Sequence, residues 1–96
     1  GIEAVARNCP ALEVWDLGEV DGVDDDVIGV VTKMLHRLHT LKLNYNEKIT
    51  SKIFDHIYEN CKEIKYLYLR NCPNLNAERL HDQLYFMKGL RKVYLE

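Results

Sequence analysis

Apolar residues recur along the chain in groups of three, with the second residue three positions after the first and the third two positions after the second. The groups begin at Leu12, Leu38, Ile64 and Leu90, so their starts are equally spaced, and positions separated by this 26-residue period form a column. Three further apolar columns keep the period, and Gln83 is the single polar residue in all six. Equal intervals without insertions predict a repeat architecture, in which each unit buries its apolar side against its neighbours.

Each repeating unit combines the spacing of a strand with the spacing of a helix. The last two apolar residues of each group are two positions apart, which places them on one face of a strand. The columns that follow are three or four positions apart, which is helical spacing. Between the two, Asp24, Thr50 and Asn76 share a column of good helix N-caps. We therefore predict strands near residues 14–18, 40–44, 66–70 and 92–95, and helices near 1–8, 25–35, 51–61 and 77–87.

Several short segments carry a pattern more specific than apolar spacing. An Asn-Cys pair precedes two predicted strands, in Asn8–Leu12 and Asn60–Ile64. An Asn-Cys-Pro sequence follows the third strand, in Leu69–Leu75, and an apolar residue precedes a cap residue at two helix starts, in Val23–Asp25 and Ile49–Ser51. On these segments the chain resembles the cysteine-containing leucine-rich repeats. Residues that stand where this family often has cysteine are Val20, Leu35, Asn46 and Met87. The resemblance implies an α/β leucine-rich repeat solenoid of 26-residue strand–turn–helix units, with a parallel sheet on the concave face and helices on the convex face.

The repeat boundaries describe a single array with no second domain. The array comprises a partial unit at 1–11, complete units at 12–37, 38–63 and 64–89, and a partial unit at 90–96. Neither end has the polar character of a terminal cap, so we expect the array to be continued or covered by other segments or subunits.

Composition and charge narrow the functional classes. The chain is 47% hydrophobic with a net charge of −2, which excludes a disordered segment and a globally basic nucleic-acid binder. Its longest uninterrupted apolar run, Val27–Val31, is far too short to span a membrane. Three cysteines without a CxxC pair, and the lack of a signal peptide, favour an intracellular protein of the cytoplasm or nucleus, with an organelle as the alternative.

No motif along the chain indicates an enzyme, a metal site or a cofactor. The four histidines fall in different columns, and Cys9, Cys61 and Cys72 are predicted to be buried packing thiols. Asp24–Asp26 is interpreted as a cap and first helical turn, where negative charge complements the helix dipole. A cysteine–histidine nucleophile and a calcium site at these aspartates are the less favoured alternatives.

The outward-facing positions of the predicted strands form the most informative surface, and one column across them reads Asp16, Lys42, Tyr68, Tyr94. Charge is uneven along the chain: residues 1–35 carry eight acids and two bases, a net −6, whereas residues 36–96 carry a net +4. From the second repeat onwards the face is therefore basic and rich in tyrosine. The predicted partner-binding residues are Lys42, Tyr45, Lys65, Tyr66, Tyr68, Arg70, Arg91, Lys92 and Tyr94.

This surface predicts a protein–protein interaction module. Tyrosine and arginine are enriched at binding hot spots, and lysine with arginine suits an acidic or phosphorylated peptide. By resemblance the chain is similar to the repeats that select substrates in F-box proteins of cullin ubiquitin ligases, although no F-box lies in these 96 residues. The alternatives are a scaffold or assembly factor without a ubiquitin role, nucleic-acid binding through the Lys/Tyr/Arg face, which the acidic first third disfavours, and an ordinary solvated sheet face.

Overall fold

A computed structural model describes residues 1–76, 82, 84, 85 and 87–95 of the chain. Helices and strands alternate along the sequence, as in an α/β fold. The elements are α1 (Ile2–Asn8), β1 (Val14–Asp16), α2 (Asp25–Met34), β2 (Thr40–Lys42), α3 (Lys52–Asn60), β3 (Tyr66–Tyr68) and β4 (Lys92–Tyr94). The helix predicted at 77–87 falls largely outside the described residues, and so do Leu80 and Gln83 of its apolar columns.

The four strands form one parallel sheet in the order β1-β2-β3-β4. Each strand pairs with the next in a register equal to the sequence period, which places Val14, Thr40, Tyr66 and Lys92 side by side. The strands begin at the predicted residues and end earlier, after three residues each. Parallel neighbours need a long crossover connection, and about 20 residues separate one strand from the next. The predicted α/β class with a parallel sheet is confirmed.

The core lies between one face of the sheet and the helices. Leu41 and Leu67, the central residues of β2 and β3, are fully buried, and the residues on either side of each belong to the opposite face of the sheet. The helices contribute buried side chains from the predicted columns, namely Ile28 and Val31 of α2 and Phe54 and Ile57 of α3. Burial of each such side chain favours folding by roughly 1.5–3 kcal/mol.

The predicted cap column supplies hydrogen-bond acceptors at the starts of α2 and α3. Asp24 is the N-cap of α2, and its side chain accepts a hydrogen bond of 2.9 Å from the backbone nitrogen of Val27. Helix α3 begins at Lys52 with Ser51 in the N-cap position, but Ser51 makes no side-chain cap bond, and the Thr50 hydroxyl accepts the backbone N–H of Lys52 at 3.3 Å. Thr50 is also held by Asp25, which accepts its backbone N–H at 2.7 Å and its hydroxyl at 2.6 Å. The helix that Asn76 would cap lies outside the described residues.

The first repeating unit is less buried than the sequence columns predict. Val5 is 45% exposed and Cys9 is exposed, which corrects the prediction that both are core residues. The later members of the two columns bury against the unit before them. Cys61, for example, directs its thiol to the carbonyl oxygens of Thr32 and Leu35 at 3.8 and 3.6 Å.

Within the part of the chain that the structure describes, no helix combines the length and the apolar character needed to cross a bilayer.

Candidate protein-binding surface

The predicted binding residues lie on or beside the sheet face opposite the core. In each strand the middle residue turns inwards, so the flanking residues, such as Tyr66 and Tyr68 of β3, turn outwards. Lys65 and Arg91 precede their strands, whereas Tyr45 and Arg70 follow theirs. Five of the predicted residues come together through ring contacts. This cation–tyrosine patch consists of Lys42, Tyr68, Arg70, Lys92 and Tyr94.

Two tyrosines form the centre of the patch. Tyr68 and Tyr94 are register partners in β3 and β4, and their rings stack with centroids 4.1 Å apart and planes 14° apart. The stack follows from the register, because parallel strands lie about 4.8 Å apart and equivalent side chains project side by side. Aromatic pairs of this kind contribute about 0.5–1.5 kcal/mol beyond the area that they bury.

Three cations surround the tyrosine stack. The ammonium of Lys42 lies 5.1 Å from the Tyr68 ring centre, that of Lys92 lies 4.8 Å from the Tyr94 ring centre, and the guanidinium carbon of Arg70 lies 5.5 Å from the same ring. Among the described residues, no carboxylate is within ion-pair distance of any of these cations. The patch therefore presents three positive charges held against aromatic rings and available to an anionic group.

The Tyr68 hydroxyl remains a neutral hydrogen-bonding group at physiological pH, because its pKa is raised above the ordinary value for tyrosine. A hydrogen bond with Tyr94 is the main cause that raises the pKa of Tyr68, with desolvation second, while the positive charge of Arg70 opposes the shift. A protonated phenol can donate to a carboxylate or phosphate oxygen. The chemistry of the patch is therefore recognition of an anion by cations and phenol groups.

The side chains of the remaining predicted residues border the patch without a hydrogen bond, ion pair or ring contact to it among the described residues, whereas the backbones of Tyr45 and Lys65 are hydrogen-bonded to those of Arg70 and Lys92. Lys65 and Arg91 lie at the strand starts, where the backbone N–H of Arg91 donates to the carbonyl of Lys65 at 2.8 Å. Tyr45 lies at the strand exits with φ of 63° and is 55% exposed. Tyr66 is close enough for its charged form to raise the pKa of Tyr68. These four residues therefore flank the patch along the direction of the strands.

A polar cluster at the strand starts was missed by the sequence reasoning. The imidazole of His39 lies 2.9 Å from the Thr40 hydroxyl through Nδ1 and 3.6 Å from the Glu13 carboxylate through Nε2. The available signal was the column shared by Glu13 and His39, which makes them neighbours across the sheet. The hydroxyl, imidazole and carboxylate resemble a nucleophile triad, but Thr40 is only 8% exposed and does not present its hydroxyl to a substrate.

The buried cysteines satisfy backbone carbonyls and are poor nucleophiles. Desolvation raises the pKa of Cys61 to about 12, and burial also raises the pKa of Cys72 against the opposing backbone N–H groups of Asn46 and Tyr45. Cys72 donates to the carbonyl of Leu43 at 3.2 Å, and thiols held protonated in this way are unreactive. The prediction of buried packing thiols is confirmed for Cys61 and Cys72.

Acidic groups do not converge on a metal site in the part of the chain that the structure describes, where no cluster of three or more His, Cys, Asp or Glu side chains could hold an ion. Within the run Asp24–Asp26, the first side chain caps α2 and the second binds Thr50.

No protein-family model matches the chain, and a comparison with curated proteins finds no significant match.

Proposed function

We propose that the chain is part of a leucine-rich repeat array that binds a protein partner through the outer face of its sheet. The proposal is supported by the agreement between the period of the sequence and the register of all three strand pairs. In such an array the sheet forms the concave surface, and equivalent side chains of successive units line it in columns.

The observation that carries the proposal is the cation–tyrosine patch. A sheet face that only needed solubility would gain little from stacking two tyrosines and holding around them three cations that no described carboxylate neutralises. Rigid aromatic side chains together with arginine are the usual centre of a binding surface. The patch therefore favours recognition of a protein over a merely solvated face.

Two biological settings fit this function. In the first, the array selects substrates for an F-box-type cullin ubiquitin ligase; in the second, it is a scaffold or assembly factor within a stable complex. Both settings use the same face, so they differ in the proteins that accompany the partner.

The test is affinity purification of the tagged full-length protein from its own cells, followed by mass spectrometry. We expect the charge-reversed variant Arg70→Glu/Arg91→Glu/Lys92→Glu to lose its main partner, since it replaces three cations of the face with acids. The matched control is Arg37→Glu/Lys48→Glu/Lys52→Glu, which makes the same charge change at exposed residues outside the strands and should retain the partner. Circular dichroism checks that both variants fold.

Co-purification of a cullin and its F-box-binding adaptor with the unchanged protein would support the ligase setting, whereas one stoichiometric assembly without a cullin would support the scaffold. Retention of the partner by the folded triple variant of the face would overturn the proposal.

A further inference from the structure

The cation–tyrosine patch has a defined direction across the sheet, which bears on the chemistry of its partner. Asp16 of β1 and Lys42 of β2 are register partners, yet they form no ion pair. The Asp16 carboxylate accepts a hydrogen bond of 2.9 Å from the backbone N–H of Gly18, while the Lys42 ammonium reaches in the other direction, to the Tyr68 ring. The column therefore begins with an exposed negative charge and continues with a lysine and two tyrosines, around which the other two cations of the patch lie.

This polarity favours a peptide over a nucleic acid. A nucleic-acid backbone carries negative charge at every step, so a strand long enough to cross all four β-strands would place a phosphate near Asp16. Glu13 and Glu19 add further negative charge at the same end of the face, and both are exposed. A peptide can carry acidic residues at one end and a neutral or basic residue at the other.

The distance between strands determines how far apart acidic residues of a bound peptide would have to be. Lys42 and Lys92 lie on β2 and β4, two strand intervals or about 10 Å apart in a parallel sheet, and Lys92 belongs to the column of Thr40, two residues before that of Lys42. The backbones at the two lysines are therefore about 12 Å apart, along a line oblique to the strands. An extended peptide advances about 3.3 Å per residue. Two carboxylates about three or four residues apart would therefore match these two lysines, and a residue about one or two positions further on would lie near Asp16.

We infer that the cation–tyrosine patch binds an extended acidic segment of a protein that runs across the strands, with paired carboxylates at Lys42 and Lys92 and a neutral or basic residue at Asp16. Arg70 lies beside the second carboxylate because its guanidinium contacts the same tyrosine ring as Lys92. The tyrosine stack holds the middle of the segment through its ring edges and hydroxyls. This inference rests on the proposed protein-binding function.

The experiment is a selection from a displayed library of random peptides on the immobilised full-length protein. We expect enrichment of Asp or Glu pairs about three or four residues apart, with Lys or Arg enriched on one flank only. Lys42→Glu/Lys92→Glu should instead select basic residues at the paired positions, and Asp16→Lys should remove the flanking preference. Lys48→Glu/Lys52→Glu is the control of equal charge, and it should select the same peptides as the unchanged protein.

Affinities of the enriched peptides give the quantitative check. Reversal of either lysine should weaken binding of an acidic peptide by about tenfold or more, since a hydrogen bond to a charged group contributes roughly 1.5–3 kcal/mol. Enrichment without acidic pairs would overturn the inference, and so would tighter binding of a single-stranded oligonucleotide than of any selected peptide.

The same variants separate the inference from the proposed function. If Lys42→Glu/Lys92→Glu loses the cellular partner while the selected peptides show no acidic preference, the protein-binding function stands and the acidic-segment inference fails. If Lys42→Glu/Lys92→Glu changes neither the binding of the cellular partner nor the selected peptides, both the protein-binding function and the acidic-segment inference fail.

Discussion

At the scale of single residues, the strand exits depend on an uncommon backbone conformation. Glu19, Tyr45 and Asn71 occupy one column of the repeat and have φ values of 58°, 63° and 57°. This left-handed region is unfavourable for residues with a side chain, and asparagine tolerates it better than most. At Glu19 and Tyr45 the N–H of the left-handed residue itself donates to the neighbouring strand exit, as in the 2.8 Å bond from Tyr45 to the carbonyl of Arg70.

The cost of this turn should be measurable at Tyr45. Tyr45→Val places a β-branched side chain in the left-handed region and should lower the free energy of unfolding by about 1–2 kcal/mol. Tyr45→Asn removes the same aromatic ring without that strain and should leave the protein at least as stable as before. Urea denaturation of both variants checks this, and equal stabilities would contradict the assigned conformation.

A side-chain hydrogen bond to a backbone carbonyl also recurs, in the next column of the repeat. Asn46 donates through Nδ2 to the carbonyls of Leu17 and Leu43 at 3.0 and 2.9 Å, and Cys72 donates to Leu43 in the equivalent position of the next unit. Asparagine and cysteine therefore perform the same task, because each donates to the carbonyl of the residue 29 positions earlier.

At the scale of elements, side chains at one helix start hold the loop before the next helix. Asp25, the first residue of α2, accepts two hydrogen bonds from Thr50, and Ser51 accepts one of 3.2 Å from the backbone N–H of Asn76. Successive units are thus linked on the helix side as well as through the sheet. Thr50 donates its backbone N–H and its hydroxyl proton to Asp25, while its hydroxyl oxygen accepts the backbone N–H of Lys52 at 3.3 Å.

Removal of the Asp25 side chain should destabilise the protein more than removal of the neighbouring Asp26 side chain. Asp25→Ala should lower the free energy of unfolding by roughly 1.5–3 kcal/mol, because hydrogen bonds to a carboxylate are strong and Thr50 is partly buried. Asp26→Ala is the control in the same helical turn, and its exposed side chain should matter by only about 0.5 kcal/mol. Thermal or chemical unfolding measures both, and similar losses would show that only the shared helix dipole matters.

Helices α2 and α3 also approach closely at one glycine. A Cβ atom at Gly29 would lie 2.9 Å from the imidazole of His56, so the glycine leaves room for that ring between the helices. Glycine inside a helix costs roughly 0.5–1 kcal/mol relative to alanine, and here the ring contact offsets that cost.

At the scale of the whole molecule, burial rises from the first unit to the middle. Val5, Val31 and Ile57 occupy one column, yet Val5 is 45% exposed while the other two are fully buried. Equivalent positions of the sequence are therefore covered to different degrees, with α1 less covered at this column than α2 and α3.

Valine-to-alanine substitution at two positions of this column tests whether burial differs between α1 and α2. Val31→Ala should lower the free energy of unfolding by about 2 kcal/mol, because it removes two methylene equivalents from a closed core. For a domain of this size, that corresponds to a fall in Tm of roughly 10 °C. Val5→Ala should change stability by about 0.5 kcal/mol or less. Equal losses at the two sites in calorimetry would mean that α1 is as well packed as α2.

The 26-residue period of the sequence alone determines much of the structure of this protein. A constant repeat length with strand and helix spacing inside each unit predicts which residues pair across the sheet, which leucines turn inwards and which side chains form the outer face. These features follow from local geometry, because alternation along a strand and the turn of a helix are the same in every protein. The five residues of the cation–tyrosine patch were all predicted on this basis.

The tertiary structure decided what equivalent residues do with their neighbours. It alone joined Thr50 to Asp25, left Cys9 exposed, joined His39 to Glu13 and turned Lys42 towards Tyr68 and away from Asp16. A period aligns backbones, but the choice among nearby partners depends on side-chain reach, burial and competing hydrogen bonds, which arise only when two units are packed together.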